Sequence, residues 1–223
     1  MKDDNKPFQR ARTKEQIESR KNEIIDACAK LYSKGGIDAV NFKAISQMTS
    51  FTRQSIYNYY KTREEVLLDL LKREQSVWKD DMYQAISDYP VLDKEDYALL
   101  MTSIFADHGI MLELTSMLFN IIERNCRLEK LTEFRENSFD VYHILLMSVA
   151  KYFPAYPKES HQAFASTIFA FAIGLYPMNH MSEKHLEAER MADAFYVYPE
   201  HLGRATAFET QFYNGVLLLL SGM

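Results

Sequence analysis

The stretch NFKAISQMTSFTRQSIYNYYKTREE, residues 41–65, predicts how the first part of the chain folds. Asn41 is a favourable N-cap, and Ile45 and Met48 give the helix that follows one apolar face. The next residues interrupt this pattern, and Thr52 then predicts the N-cap of a second helix. Two short helices joined by a turn of about three residues are typical of a helix-turn-helix, whose second helix reads DNA.

The predicted second helix has an inner and an outer face. Ile56 and Tyr60 are expected to face a core. Almost all side chains of the outer face can donate hydrogen bonds, and they are Arg53, Gln54, Ser55, Tyr57, Asn58 and Tyr59. Thr62 and Glu65 have the spacing of a capping box, which predicts that another helix begins there.

These features resemble the DNA-binding domain of the TetR family of bacterial transcriptional regulators. The family's motif elements are found here as Gly35-Gly36, Ile45, Tyr57-Asn58-Tyr59-Tyr60 and Thr62-Arg63-Glu64. The resemblance covers roughly residues 14–70. Ser50, Gln54 and Arg63 depart from the pattern, because the family often has Gly in the turn, a small residue in the recognition helix and Lys at the start of the fourth helix.

We expect the recognition helix to contact both bases and phosphates. Arg53 is suited to bidentate contact with guanine, and Gln54 or Asn58 to contact with adenine. The phenol groups of Tyr57 and Tyr59 are suited to phosphate oxygens, as are the nearby cations. The predicted DNA-binding residues are therefore Lys43, Thr52, Arg53, Gln54, Ser55, Tyr57, Asn58, Tyr59, Lys61 and Arg63.

Composition and charge agree with this organisation. Of 223 residues, 47% are hydrophobic, and seven Gly and six Pro are too few for a turn-rich β protein. The formal net charge is −5, which by itself argues against nucleic-acid binding. However, residues 1–72 hold 14 Lys or Arg and 10 Asp or Glu, so the basic part of the chain coincides with the helix-turn-helix and the acidic part follows it.

Export and membrane insertion are not indicated. The N-terminus MKDDNKPFQR lacks the apolar core of a signal peptide, and no apolar run reaches the ~18–20 residues of a membrane span. Cys28 and Cys126 are isolated in apolar helical patterns and are expected to be buried thiols. We therefore expect a cytoplasmic protein. The first residues, with Lys6, Arg10 and Arg12, are either an arm that follows DNA or a solvated tail.

The periodicity predicts an all-α fold. A first helix begins at Thr13, has Ile17 in its core stripe and ends at Gly35-Gly36. A long helix from Arg63 to about residue 89, with Val77 inward, links an N-terminal three-helix DNA-binding domain, residues 1–62, to a helical ligand-binding and dimerisation domain, residues 63–223. Further helices are expected over about residues 93–108, 111–122, 128–153, 159–178 and 205–220, and part of 180–202.

Two of the later helices are apolar on more than one side, which favours a subunit interface over central packing. Ser166, Ala170 and Gly174 form a stripe of small residues that lets another helix approach closely. The predicted dimer interface comprises Ser166, Ala170, Gly174, Phe212, Val216 and Leu220. The resemblance implies the same, since TetR-like proteins dimerise through their last two helices. A two-fold dimer would bind a near-palindromic operator in double-stranded DNA.

The acidic part is rich in methionine and aromatic residues that could line a soft apolar pocket, although each could equally be ordinary core. The candidates are Met101, Phe105, His108, Met111, Met117, Phe134, Tyr142 and Phe169. The resemblance implies an inducer site among these helices, and we expect a small apolar or amphipathic effector. Its binding would change the spacing of the dimer.

Other kinds of site have little support. His180 and His185 lie near Glu183 and Glu187, but a spacing of five does not place two ligands on one helical face, so we expect neither metal nor cofactor. The motifs of common hydrolases and nucleotide-binding enzymes are missing. The resemblance thus implies a ligand-responsive repressor that an inducer releases from its operator. The alternatives are a TetR-like scaffold that acts through a protein partner and, less favoured, an all-α enzyme.

Overall fold

A computed structural model of the chain describes residues 13–192 and 208–223. In these ranges the chain is helical and contains no strand, which confirms the all-α class. The helices are α1 Lys14–Ala39, α2 Phe42–Gln47, α3 Arg53–Ile56, α4 Arg63–Asp88, α5 Lys94–Asp107, α6 Gly109–Met117, α7 Leu128–Tyr152, α8 Lys158–Asn179, α9 Glu183–Met191 and α10 Phe208–Ser221. A π-helical turn, Leu118–Ile122, and a 3₁₀ turn, Glu123–Asn125, follow α6. The predicted arm with Lys6, Arg10 and Arg12 lies outside the described residues.

The chain divides into two compact units, Met1–Leu70 and Leu71–Met223. The first contains α1–α3 and the beginning of α4, and the second contains the rest of α4 and α5–α10. Among the described residues no single helix has the length and hydropathy of a membrane span. The segments Lys94–Asp107 and Gly109–Asn125 reach those limits only as a pair bent by 74°.

The first helix begins as its sequence predicts. Thr13 and Gln16 form a capping box, in which Gln16 N donates to Thr13 Oγ1 at 3.2 Å and Thr13 N to Gln16 Oε1 at 3.4 Å. Gly36 has a φ of 60°, which a glycine adopts without strain, so the glycine pair interrupts α1 before a last turn that reaches residue 39. The expectation that Ile17 is core is wrong, because α1 is buried only from Ile24 onward and Ile17 is 39% exposed.

In the second unit α5 packs against α10, and α8 packs against α6, α7 and α10. Tyr97 of α5 is fully buried, and its hydroxyl forms a hydrogen bond of 2.8 Å with Ser148 of α7. Its ring lies 5.3 Å from that of Phe153. The predicted inward position of Val77 is wrong, because this side chain is 47% exposed. Trp78 takes the buried side of α4, and the position before it is turned about 100° from it.

Candidate nucleic-acid interface

Local capping bonds fix α2 and α3. Asn41 Oδ1 accepts a hydrogen bond from Ala44 N at 2.9 Å, and Thr52 Oγ1 accepts one from Ser55 N at 3.2 Å. Both predicted N-caps are confirmed, since each side chain satisfies a backbone donor that the helix leaves without an internal partner. The two caps therefore set where both helices of the helix-turn-helix begin, and each cap bonds to a residue only three positions along the chain.

The inner face of this motif is a small apolar platform. Ile45, Ile56 and Tyr60 are fully buried, and Phe51 in the turn is 5% exposed. The Tyr60 hydroxyl donates to Asp69 Oδ2 at 2.8 Å. Burial, and then the neighbouring Asp69 carboxylate, raise the pKa of the Tyr60 phenol well above its usual range. Tyr60 thus belongs to the core, as its spacing from Ile56 predicts.

Tyr57 and Tyr59 are half-buried and lie against the edge of the platform. The rings of Tyr57 and Phe42 meet edge to face with centroids 4.8 Å apart, and those of Tyr59 and Phe51 are 6.2 Å apart. Arg53 is exposed, and its Nη2 donates to the Tyr57 hydroxyl at 3.5 Å. The geometry therefore holds the Tyr57 ring in place and keeps the Arg53 guanidinium beside it.

The remaining predicted contact residues are mostly accessible. Ser55 is half-buried, and the exposed side chains are those of Lys43, Thr52, Gln54, Asn58 and Lys61. Lys61 Nζ donates to the Tyr57 carbonyl oxygen at 2.8 Å, so this cation lies over the carbonyl end of α3. The exposed outer face of α3 thus presents a cation, amides and hydroxyls, groups suited to base edges and phosphates.

The start of α4 departs from prediction in one detail. Glu65 N donates to Thr62 Oγ1 at 3.2 Å, so the predicted cap is present. The Glu65 carboxylate is fully buried and accepts the backbone N–H of Lys61 at 2.7 Å. It therefore ties the residue before the cap to α4, a bond that the capping-box pattern did not predict.

Arg63 has a structural role that the sequence did not reveal. Its Nη1 donates to the carbonyl oxygens of Ile37 at 3.2 Å and Val40 at 3.4 Å, and its Nε to Glu64 at 3.0 Å. The guanidinium supplies donors to carbonyls at the end of α1, of which the Ile37 carbonyl also accepts the Val40 backbone N–H at 3.2 Å. The Arg63 guanidinium thus makes intramolecular contacts while its side chain stays 37% exposed, and its phosphate contact stays a prediction.

Sequence reasoning also missed how the turn is held. The backbone N–H of Ser50 donates to Glu23 Oε1, and its hydroxyl donates to Glu23 Oε2 at 3.1 Å. The Arg20 guanidinium lies 5.5 Å from the centroid of the Phe51 ring. Ser50, one of the three departures from the family pattern, thus gains a hydroxyl bond to α1 that a glycine could not make. No sequence signal joins residues 27 positions apart.

The structure does not bring the eight candidate ligand residues together around a cavity. Met101, Phe105, Met111 and Phe134 are buried core, Met117 and Phe169 are half-buried, and Tyr142 is 39% exposed. His108 is buried, and its Nε2 lies 2.9 Å from Asp81 Oδ2. Two depressions, of about 240 and about 80 Å³, are lined by other residues. Five of the eight candidates, Met101, Phe105, His108, Met111 and Phe134, therefore pack into the interior, and Tyr142 lies at the surface.

The six predicted dimer residues separate into two groups. Ser166, Ala170 and Gly174 are exposed along α8, and a Cβ added to Gly174 would meet no atom within 4 Å. By contrast Phe212, Val216 and Leu220 have no exposed surface, and the Phe212 ring packs 5.1 Å from Phe105.

The α10 part of the prediction is therefore wrong, because that apolar face covers the chain's own core. The exposed apolar side chain of α10 is Leu218, at 74%. Its two-residue offset from Val216 places it on the opposite side of the helix.

Metal ligands do not cluster in the described parts of the chain. No group of three or more His, Cys, Asp or Glu side chains there could hold a metal ion. The His180 ring stacks on Tyr176 with centroids 3.9 Å apart. Cys28 is buried as predicted and Cys126 is only half-buried, and neither forms a disulfide with a described residue.

Comparisons with known proteins agree with both units. Residues 24–70 match the family described as bacterial regulatory proteins, tetR family, and residues 72–223 match the tetracyclin repressor-like C-terminal domain. The HTH-type transcriptional regulator QacR of Staphylococcus aureus is 20% identical over 127 residues, which are 56% of this chain and 68% of QacR.

Solved structures show the same fold. The transcriptional regulator FadR from Bacillus subtilis, in complex with stearoyl-CoA, is 18% identical with a TM-score of 0.54. The fatty acid degradation regulator FadR from Bacillus halodurans is 17% identical with a TM-score of 0.53. Each alignment covers 91% of this chain and 98% of the other.

Proposed function

The chain belongs to the TetR family of transcriptional regulators, and from this premise we propose that it is a ligand-responsive repressor. It binds a near-palindromic operator as a homodimer and is released by a small-molecule inducer. The observation that carries this proposal is the outer face of α3, where exposed hydrogen-bond donors stand on a fully buried platform.

The contacts divide by chemistry. Arg53 reads guanine, and Gln54 or Asn58 reads adenine, since these exposed side chains match the acceptor and donor patterns of the major groove. Tyr57 and Lys43 contact phosphates and set the orientation of the helix without reading sequence. Each such phosphate contact adds to the salt dependence of binding.

The dimer forms through the exposed side of α8. Ser166, Ala170 and Gly174 lie on one stripe, because residues four apart share a helical face. Small side chains let the equivalent helix of a second copy approach closely. Exposed Leu218 of α10 adds apolar surface in place of the buried residues first predicted. A two-fold axis here presents two recognition helices to two half-sites.

The effector binds in the second unit. Its aromatic and methionine-rich interior suits an apolar or amphipathic molecule. The B. subtilis FadR was solved with stearoyl-CoA, a ligand of that chemical type. We expect a coupling of about 1–3 kcal/mol between effector and operator, which lowers operator affinity roughly 5- to 150-fold.

The decisive experiment measures binding to intergenic palindromes from the protein's own genomic neighbourhood, with scrambled duplexes for comparison. We expect specific binding to the palindromes. The logarithm of the association constant should fall with the logarithm of the salt concentration, with a slope of about −0.9 per phosphate neutralised. Lys43→Ala should reduce that slope by about one such unit. The control Lys184→Ala removes an exposed cation from α9 and should leave it unchanged.

Two outcomes would count against the repressor proposal. Binding to neither duplex at low salt would favour the scaffold that acts through a protein partner. Equal affinity for palindromic and scrambled DNA would show that the protein binds DNA without sequence specificity, which contradicts an operator-binding repressor.

A further inference from the structure

Trp78, on α4 in the second unit, is the chain's single tryptophan and has no exposed surface. Its indole Nε1 is buried, and among the described residues no acceptor lies within hydrogen-bonding distance of it. A buried N–H without an acceptor is destabilising and uncommon in native proteins. Because folding alone gains nothing from this donor, its presence requires another explanation.

The indole begins a continuous aromatic cluster. Its ring lies 5.6 Å from that of Phe105 on α5, and Phe105 lies 5.1 Å from Phe212 on α10. Phe212 stacks on Phe171 of α8 at 5.7 Å. One polar hydrogen therefore lies at the end of an otherwise apolar row that four helices contribute. Such a combination suits a ligand with an apolar body and a single acceptor.

The interior of the second unit, to which Trp78 belongs, can change its packing. Met82, Met101 and Met111, on α4, α5 and α6, are all fully buried. Unbranched thioether chains adopt alternative conformations with little cost, so methionine-rich interiors admit ligands more readily than branched ones. The residues that line the two described depressions do not include Trp78. A ligand would therefore open its own site.

We infer that Trp78 Nε1 is the specificity-determining donor of the effector site, and that the effector is a slender apolar molecule with a neutral oxygen acceptor such as a carbonyl. This inference rests on the proposed function, because it describes the effector of that regulator. The acceptor is neutral, since burial of a charge in aromatic surroundings costs far more than burial of a carbonyl.

The test uses nuclear magnetic resonance, because one tryptophan gives one indole N–H signal. The full-length dimer, labelled with nitrogen-15, is titrated with acetophenone and with cumene, which has a methyl group where the ketone has its oxygen. We expect acetophenone to move the indole proton downfield to saturation, and cumene to bind without such a shift.

A matched variant removes only the donor. Biosynthetic replacement of tryptophan by β-(3-benzothienyl)alanine changes Trp78 alone and puts sulfur in place of N–H at nearly the same ring shape. The preference for acetophenone over cumene, measured by calorimetry, should fall about fivefold in this variant. Its melting temperature should not fall, since no protein hydrogen bond is lost. If the variant does not fold, the wild-type titration alone decides.

Three results would overturn the inference. One is an indole proton that is already shifted downfield in the free protein, which would show that it has an acceptor. The others are an unmoved signal at the solubility limit of acetophenone, and equal preference in the two proteins. Operator binding is measured on the same samples without probe. If operator binding is absent, the proposed function is contradicted. The indole titration still shows whether Trp78 N–H binds an acceptor.

Discussion

The outer face of α3 and the interior of the second unit use similar residue types in opposite ways. Tyr57 keeps part of its ring exposed and is steadied by an edge contact with Phe42. Tyr97 is fully buried, and its hydroxyl is bonded to Ser148. In the first region polar groups remain available to an external partner, and in the second they are satisfied within the chain.

This difference shows why aromatic composition alone does not locate a binding site. A tyrosine that supports recognition needs a rigid neighbour and an open edge, whereas a structural tyrosine needs an internal partner for its hydroxyl. Trp78 fits neither description, because it is buried and its N–H has no acceptor among the described residues. The four predictions that follow test this contrast in decreasing order of expected effect.

The largest effect on stability is expected at Tyr60, a buried tyrosine that is next to the half-buried Tyr59. Tyr60→Ala empties a fully buried site and removes the bond to Asp69, so we expect a loss of about 3–5 kcal/mol in the free energy of unfolding. Tyr59→Ala, at a half-buried position, should cost much less. Urea denaturation followed by circular dichroism measures both, and similar losses would remove the distinction between the buried and the half-buried tyrosine.

Gly174→Leu tests whether the exposed stripe of α8 is the dimer interface. The added side chain has free space within its own subunit, so folding should be preserved. Overpacking against a second copy should weaken dimerisation by about 1–3 kcal/mol per subunit.

Sedimentation velocity distinguishes monomer from dimer in this variant. The control Glu136→Leu places the same bulk at an exposed position of α7. A normal dimer mass for Gly174→Leu, or an equal loss in the control, would assign the interface elsewhere.

Arg53→Ala tests base reading on the outer face. We expect a loss of about 1–3 kcal/mol on operator DNA, with relaxed preference at one base pair and little change on random duplex. Tyr57→Ala should instead weaken binding to all sequences, because a phosphate contact carries no sequence information. Fluorescence anisotropy with both duplexes measures the two ratios. Equal losses on operator and random DNA for Arg53→Ala would refute its assigned role.

The smallest effect near neutral pH concerns the buried phenols. Burial raises the pKa of Tyr60 and of Tyr97 above the ordinary value of 10.0, so each phenol stays protonated in the folded state after the unfolded chain begins to ionise. Their stabilising contribution is complete below about pH 10 and is lost as the pH rises further, by about 1.4 kcal/mol per pH unit for each tyrosine.

Phenylalanine at either position should flatten this alkaline decline. Tyr60→Phe should act on the first unit and Tyr97→Phe on the second. Urea unfolding from about pH 9 to about pH 11 checks the slopes. An unchanged slope in either variant would show that its phenol ionises in the folded protein as readily as in the unfolded chain.

Capping signals gave the most accurate predictions from sequence. Thr13, Asn41 and Thr52 are all N-caps, and each accepts from the backbone N–H three residues later. Such bonds depend on side-chain chemistry and short spacing, which the sequence displays directly. Apolar periodicity was similarly reliable for the existence of helices, including α7 and α10.

The faces of the helices were predicted less well. Leu218 and Val216 are equally apolar, yet one is exposed and the other fully buried. Periodicity shows that α10 has several apolar sides, but the positions of α5 and α8 decide which side is covered. The candidate ligand residues were uncertain for the same reason, because core and pocket have the same composition.

The sequence by itself determined the order of the helices, the helix-turn-helix and the donors on its outer face, because these depend on residues a few positions apart. Only the tertiary structure decided that Arg63 binds the carbonyls of Ile37 and Val40, that Glu23 holds Ser50, and that Trp78 N–H is buried. Each depends on which distant elements meet, and that is settled by the packing of the whole core.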